Sequence, residues 1–192
     1  SLIARTAQID AGLNANDARI VLGANQVDAN GTVTAQAADS SVAGSHVKVA
    51  LDTGALGGMY TNRIKLVSSD KGVGVNVGNL SARSGDITLS ANGKLSLGDA
   101  VAKGTIQADA DALALRGKQQ AGETLTLKAR QDITLQDATL RAGKDIALRS
   151  DGALNAHNSV ISAGVDAQGT VNAANQLTLK GDAVTLSNTQ LA

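Results

Sequence analysis

Leu125-Thr126-Leu127-Lys128 and Leu177-Thr178-Leu179-Lys180 are one phrase written twice, and the residues downstream of each copy repeat as well. Ile133-Thr134-Leu135 and Leu140 lie beyond the first; Val184-Thr185-Leu186 and Leu191 lie beyond the second. Between them, Ile146-Ala147-Leu148, Leu154 and Ile161 stand 21 residues beyond Leu125, Ile133 and Leu140. Gly122, Gly143 and Gly164 keep the same interval of 21. Upstream, Ile87-Thr88-Leu89 with Leu95-Ser96-Leu97, and Ile106 with Leu113-Ala114-Leu115, obey the same grammar at about 18 to 20 residues. A fixed period of this size marks a chain of stacked units rather than a globule.

Within each unit apolar residues alternate with small polar ones, as in Asp132-Ile133-Thr134-Leu135-Gln136. That is the period of a strand with one face buried. Three such strands in roughly 20 residues, separated by Gly, Asn, Asp and Ser, predict one rung of an all-β, right-handed parallel β-helix. Ile87, Leu89, Ile106, Leu125, Leu127, Ile133, Leu135, Ile146 and Leu148 are expected to face inward. Asn30-Gly31, Asn92-Gly93 and Asp151-Gly152 supply corners that tolerate positive φ. The alanine-rich stretch from Ala108 to Leu115 is also open to a helical reading by propensity. At about 20 residues per rung and ~4.8 Å between strands, the chain makes roughly nine rungs and about 45 Å of rod.

Composition agrees. Tyr60 is the single aromatic residue, and Leu, Ile, Val and Ala must fill the interior without the volume that aromatics supply. The absence of proline suits strands that are nearly all internal and need every N–H. There is no cysteine, hence no disulfide and no thiolate metal site. Lysine plus arginine equals aspartate plus glutamate at 17 each, with the charges scattered. Nucleic-acid binding has no electrostatic footprint here. No apolar run approaches the length of a membrane span, no signal peptide opens the chain, and both termini read as cuts inside the repeat pattern.

The most specific text is Leu51-Asp52-Thr53-Gly54-Ala55-Leu56-Gly57-Gly58-Met59-Tyr60, then Ile64-Lys65-Leu66-Val67 and Gly72-Val73-Gly74-Val75. It resembles a signature of the large two-partner-secretion exoproteins, the filamentous haemagglutinins and contact-dependent inhibition proteins. Ser68-Ser69-Asp70-Lys71 departs mildly from the Gly-Thr-Glu type of stretch usual there. Ile3-Ala4-Arg5, Ile9, Ala11 and the run Gly23 to Asp28 resemble the closing rungs of that family's secretion domain, whose opening Asn-Pro-Asn-type motif is missing. The resemblance implies three parts: residues 1–50 closing the secretion-domain-like helix, 51–80 a joining region, and 81–192 haemagglutinin-type repeats. It also implies export through an outer-membrane two-partner-secretion transporter, a place at the Gram-negative cell surface, and a fibre that adheres or carries a toxic domain. The expected role is a non-catalytic segment of that fibre. The exposed ends of a cut solenoid are expected to associate end to end.

The rival is a carbohydrate-active parallel β-helix enzyme such as a polysaccharide lyase. Gly72-Val73-Gly74-Val75-Asn76-Val77-Gly78 carries its third glycine one place late for a dinucleotide loop and is followed by more strand. His46 and His157 sit in no catalytic or metal-binding motif. Asp109 and Asp111 share a strand face, and Asp132, Asp145 and Asp166 fall near comparable corners; all five read as solvated outward charges. Met59 and Tyr60 read as capping or filling a wide rung. The outward threonines Thr88, Thr126, Thr134, Thr178 and Thr185 do not recur in every rung, as a flat ice-binding ladder requires. No catalytic, cofactor-binding or metal site is therefore expected, and no cofactor.

Overall fold

The computed structural model describes residues 1–28, 32–36, 49–54 and 57–192. One turn shows how the sequence builds the rest. Ile87–Ala91 is a strand in which Ile87, Leu89 and Ala91 are buried while Thr88 and Ser90 face outward. Asn92-Gly93 turns the corner into Lys94–Leu97, and Gly98-Asp99 turns into Ala100–Ala102. Gly93 is required, because a Cβ there would lie 2.1 Å from the Val73 carbonyl oxygen of the turn beneath. The chain then returns as Ile106–Ala110, parallel to the first strand, with Ile106 opposite Ile87 and Ala108 opposite Leu89.

Repetition of this step makes a parallel β-solenoid of three faces, with no helix among the described residues. On the first face, one inward column runs Leu2, Ile20, Leu66, Leu89, Ala108, Leu127, Leu148 and Leu179. On the second it runs Ala7, Leu51, Val75, Leu95, Leu113, Ile133, Leu154 and Val184. On the third it runs Leu13, Met59, Leu80, Ala100, Gln119, Leu140, Ile161 and Leu191. All nine residues expected to face inward are at most 1% exposed. The segment Ala108 to Leu115 is strand on both sides of Asp111, which removes the helical reading: its alternating Ala and Leu serve two faces.

The first face forms an eight-stranded sheet. The second and third join in one sheet, because Ala112–Ala121 and Ile133–Ala142 pass through the corner between them without losing the ladder. In those turns two of the three expected strands are merged, and Gly117, at φ +70°, absorbs the bend.

Among the described residues the solenoid is eight strands deep, where the sequence period implies roughly nine. Along the first column the steps are 18, 46, 23, 19, 19, 21 and 31 residues. The step of 46 carries an antiparallel hairpin, Asn25–Val27 with Val33–Gln36, and the step of 31 carries an excursion over residues 164–176. Seven steps of ~4.8 Å make about 34 Å of rod, shorter than the sequence period alone implies.

Two polar devices hold the corners. Gln119 is fully buried in the third column, where its Nε2 donates to the carbonyls of Gly98 and Arg116, each at 2.7 Å. It leans over small Ala100 and ties the bend to the turn below. Asn79, Asp137, Asn158 and Asn188 take positive φ of 53°, 52°, 50° and 47°, a conformation that asparagine and aspartate tolerate better than other side chains. The last three form a ladder: Asn188 Nδ2 donates to Asn158 Oδ1 at 2.7 Å, and Asn158 Nδ2 donates to Asp137 Oδ1 at 2.5 Å. The bonds from Asn158 first and Gln136 second hold the Asp137 carboxyl below the usual aspartate range.

Two outcomes test this architecture. Leu135→Ala should cost ~2–4 kcal/mol, because a narrow interior collapses only partly around the missing volume. Its outward neighbour Thr134→Ala should stay within ~0.5 kcal/mol; equal denaturation midpoints would reverse the assignment of faces. The ladder's contribution through Asp137 is present above about pH 4, the unfolded aspartate value, and is lost as pH falls through the depressed folded one. Asn158→Ala should therefore raise the Asp137 titration midpoint seen by carboxyl NMR, and an unmoved midpoint would remove the ladder as its cause.

Candidate interaction surface

The residues singled out for chemistry are dispersed by the fold. Gly72 lies in a turn at φ +72°, and Gly74–Val77 is a strand of the second face, so the glycine run cradles no phosphate at a helix start. His46 lies outside the described residues. His157 ends the strand Ala153–His157, is exposed, and has its Nδ1 3.3 Å from Ser187 Oγ on the next turn. Asp137 lies on the turn below, and its hydrogen-bond partners are Asn158 and Gln136 rather than His157. The His157–Ser187 approach spans a 30-residue step, which neither local motif nor the shorter repeat reveals. Met59 is wholly buried and fills the third column, whereas Tyr60, 38% exposed, turns outward against Gly12 and fills nothing inside. The threonines divide between faces: Thr88, Thr126 and Thr178 share a first-face column with Gln107 and Ala147, and Thr134 and Thr185 share a second-face column with Asn155.

The aspartates are engaged rather than simply solvated. Asp132 Oδ1 accepts the Ala153 N–H at 2.8 Å, and Asp145 Oδ1 accepts the Gln176 N–H at 2.7 Å. These are different corners, and Asp166 belongs to neither: in the excursion it accepts the N–H groups of Gln168 and Thr170. Asp86 and Asp99 likewise take the N–H groups of Thr105 and Lys118, one turn above. Where the strands break, a carboxylate replaces the ladder bond that the corner forfeits. Asp109 and Asp111 share one cation. Arg130 places Nη1 2.7 Å from Asp109 Oδ1 and Nε 2.6 Å from Asp111 Oδ1, and donates from Nη2 to the Ala91 carbonyl at 3.0 Å. Asp111 first, then Asp109, raise the guanidinium above its usual pKa against the opposing effect of burial. This cross-brace links three consecutive turns.

A groove of about 860 Å³ runs along the outer side of the second face, reaching from Thr53 and Gly54 to Thr134 and Gln136. Asn76, Ser96, Ala114 and Thr134 stack along its middle. Gly78 and Gly98 form its floor on one side, Lys94 and Arg116 are its cations, and Asp99 and Asp132 its carboxylates. Among the described residues, the side chains of Asn76, Lys94, Ser96, Arg116 and Thr134 make no hydrogen bond or ion pair. No group of three His, Cys, Asp or Glu residues among those described is placed to hold a metal ion.

Comparison with known proteins places the chain. The haemagglutinin repeat family model matches residues 43–99 and 98–191. The tRNA nuclease CdiA of Yersinia mollaretii is 43% identical over 192 residues, all of this chain and 6% of that protein. The 16S rRNA endonuclease CdiA of Enterobacter cloacae is 44% identical over 167 residues, 87% of this chain and 5% of that protein. The tRNA nuclease CdiA of Escherichia coli strain NC101 is 46% identical over 145 residues, 76% of this chain and 4% of that protein. The chain thus spans only a small part of the length of these relatives, and no solved structure matches it. With its repeats matched over most of its length, the chain belongs to the haemagglutinin-repeat family of secreted, cell-surface exoproteins, in the group of filamentous haemagglutinins and contact-dependent inhibition proteins.

Proposed function

We propose that this chain is a non-catalytic spacer segment of a surface fibre, setting reach and stiffness rather than performing chemistry. The observation that carries the reading is the unbroken stacking of three inward columns through every turn, with variation in length expelled to the corners. The carboxylates that the rival reading would use for carbohydrate chemistry are committed to backbone N–H groups or to Arg130. The nuclease activities in the relatives' names are assigned to parts of those proteins outside the matched segment. Residues 1–50 are assigned to the end of a secretion-domain-like helix, 51–80 to a joining region, and 81–192 to repeats. The partner during export is an outer-membrane two-partner-secretion transporter acting on the parent protein.

A spacer should tolerate the loss of a whole turn and not of half of one. Deleting residues 106–124, which brings Leu125 to the register position of Ile106, should leave a folded rod shorter by one step. Deleting 106–115 should unfold it. In the parent exoprotein the first deletion should preserve surface display. Equal collapse of both variants in circular dichroism and proteolysis would refute the interchangeable-turn reading.

The ends of the rod generate a second test. Val184, Leu186 and Leu191 occupy inward positions in register with buried Leu154, Ala156 and Ile161, yet are 44%, 39% and 46% exposed. Unpaired strand edges over an open apolar interior favour stacking on another such edge. The isolated chain should associate end to end with rising concentration, and Leu186→Lys should weaken this without unfolding the rod. Sedimentation as a monomer at every concentration would overturn it.

A further inference from the structure

We propose that Gln119 is a register pin: it holds the strand Ala112–Ala121 to the turn directly beneath it and keeps the folding chain from skipping a turn. This rests on the interchangeable turns of the spacer reading, because turns that can replace one another can also be mistaken for one another. Most inward positions are Leu, Ile or Val, and Leu125-Thr126-Leu127-Lys128 recurs unchanged at 177–180. Nothing in the topology forbids a skip. The rod already carries steps of 31 and 46 residues, whose extra chain lies outside the ladder. Leu113 laid on Val75 in place of Leu95 would make a step of 38 residues, between those two. The second column would accept that exchange, since it only replaces one aliphatic neighbour with another.

The third column would not. Gln119 is the one polar residue in the three inward columns, and it is fully buried. Its Nε2 donates to the carbonyls of Gly98 and Arg116, each at 2.7 Å, while its buried Oε1 makes no hydrogen bond. The two carbonyls fix which end is nitrogen, since the reverse would set oxygen against oxygen. A buried amide oxygen without a donor costs free energy. An interior selected for stability alone would carry a leucine here, as it does at Leu140 one turn above. What the glutamine adds is selectivity among registers. It has room to reach the corner because Ala100 lies beneath it, and Ala100 is the one small residue of the third column. One turn lower, Gly78 offers a carbonyl like that of Gly98, but Leu80 fills the space the amide needs. A skipped turn would press the amide against Leu80 and part it from its corner, so the slipped strand releases before another turn is laid on it.

The chain has no cysteine, so a pair can be introduced as a reporter of register. Asn76, Ser96 and Ala114 are successive outward neighbours on the second face. Asn76→Cys and Ala114→Cys therefore stand two rises of ~4.8 Å apart in the native rod, beyond disulfide reach, and become neighbours only when the strand has skipped a turn. The chain is refolded from denaturant at low concentration and pulsed with oxidant at intervals, and the cross-linked monomer is measured. Adding Gln119→Leu should raise the cross-linked fraction during refolding by roughly threefold or more, with the midpoint of equilibrium unfolding nearly unchanged. Gln119→Met, which keeps the length of the side chain without its hydrogen bonds, should do the same and covers the case in which leucine does not fit. Cross-linking that stays flat in both variants would overturn the proposal. So would a rise matched by a fall in the midpoint, or the failure of both variants to fold, since either result makes Gln119 a stabilising residue and not a selective one. The spacer reading is decided separately, by whether the chain lacking residues 106–124 folds.

Discussion

Everything in this solenoid depends on one constraint: each inward side chain must stack on the inward side chain of the turn below, in a space only a few residues wide. Parallel backbone ladders on three faces fix the register, and once Leu89 sits on Leu66 and under Ala108, no later turn can slip without exposing a whole column. The interior is therefore written in Leu, Ile, Val and Ala, whose volumes can alternate along a column. Where a small residue such as Ala100 leaves room, the next turn fills it with Gln119, whose amide nitrogen donates to two carbonyls of the corner while its buried Oε1 makes no hydrogen bond. Packing and the amide nitrogen's two hydrogen bonds fix that corner together.

Charge serves the corners. A strand that ends leaves an N–H unanswered, and Asp86, Asp99, Asp132 and Asp145 each answer one on the adjoining turn. These are bonds between turns, as the ladders are, so the acidic residues extend the axial hydrogen-bonding system beyond the strands. Arg130 does the same through two carboxylates and a carbonyl. Its charge is exposed, and the cross-brace matters more for orientation than for energy. The net neutrality of the chain fits this use: the corner carboxylates are solving local geometric problems and not building a field.

The core is legible in the sequence because a period of two nested within a period near twenty leaves few other folds, and the inward residues can be named one by one. The depth of the rod is less legible. Gly164 sits at the regular 21-residue interval from Gly143, yet at φ +70° it opens an excursion in place of the next strand. A glycine carries no mark of which it will do. The aspartates escape sequence reading for a related reason: an outward carboxylate and one that bends back to an N–H look alike in one dimension, and only register places Thr105 above Asp86. The size of Tyr60 suggests an interior role, but strand alternation beside Met59 sends it outward.

The direction of the hydrogen bonds also determines how such a rod yields to a pull. Strands lie across the axis and their bonds lie along it, so tension applied at the ends loads one edge strand at a time. The rod unwinds from its termini, turn after turn, and each released turn trades a rise of ~4.8 Å for a thread many times longer, at about 3.4 Å per residue. Most steps free 18 to 23 residues, but the two turns with excursions free 31 and 46. Because the strands on either side of each long step pair directly, the extra residues add nothing to the resting rise of the rod and lengthen the tether it becomes under load, a reserve of slack.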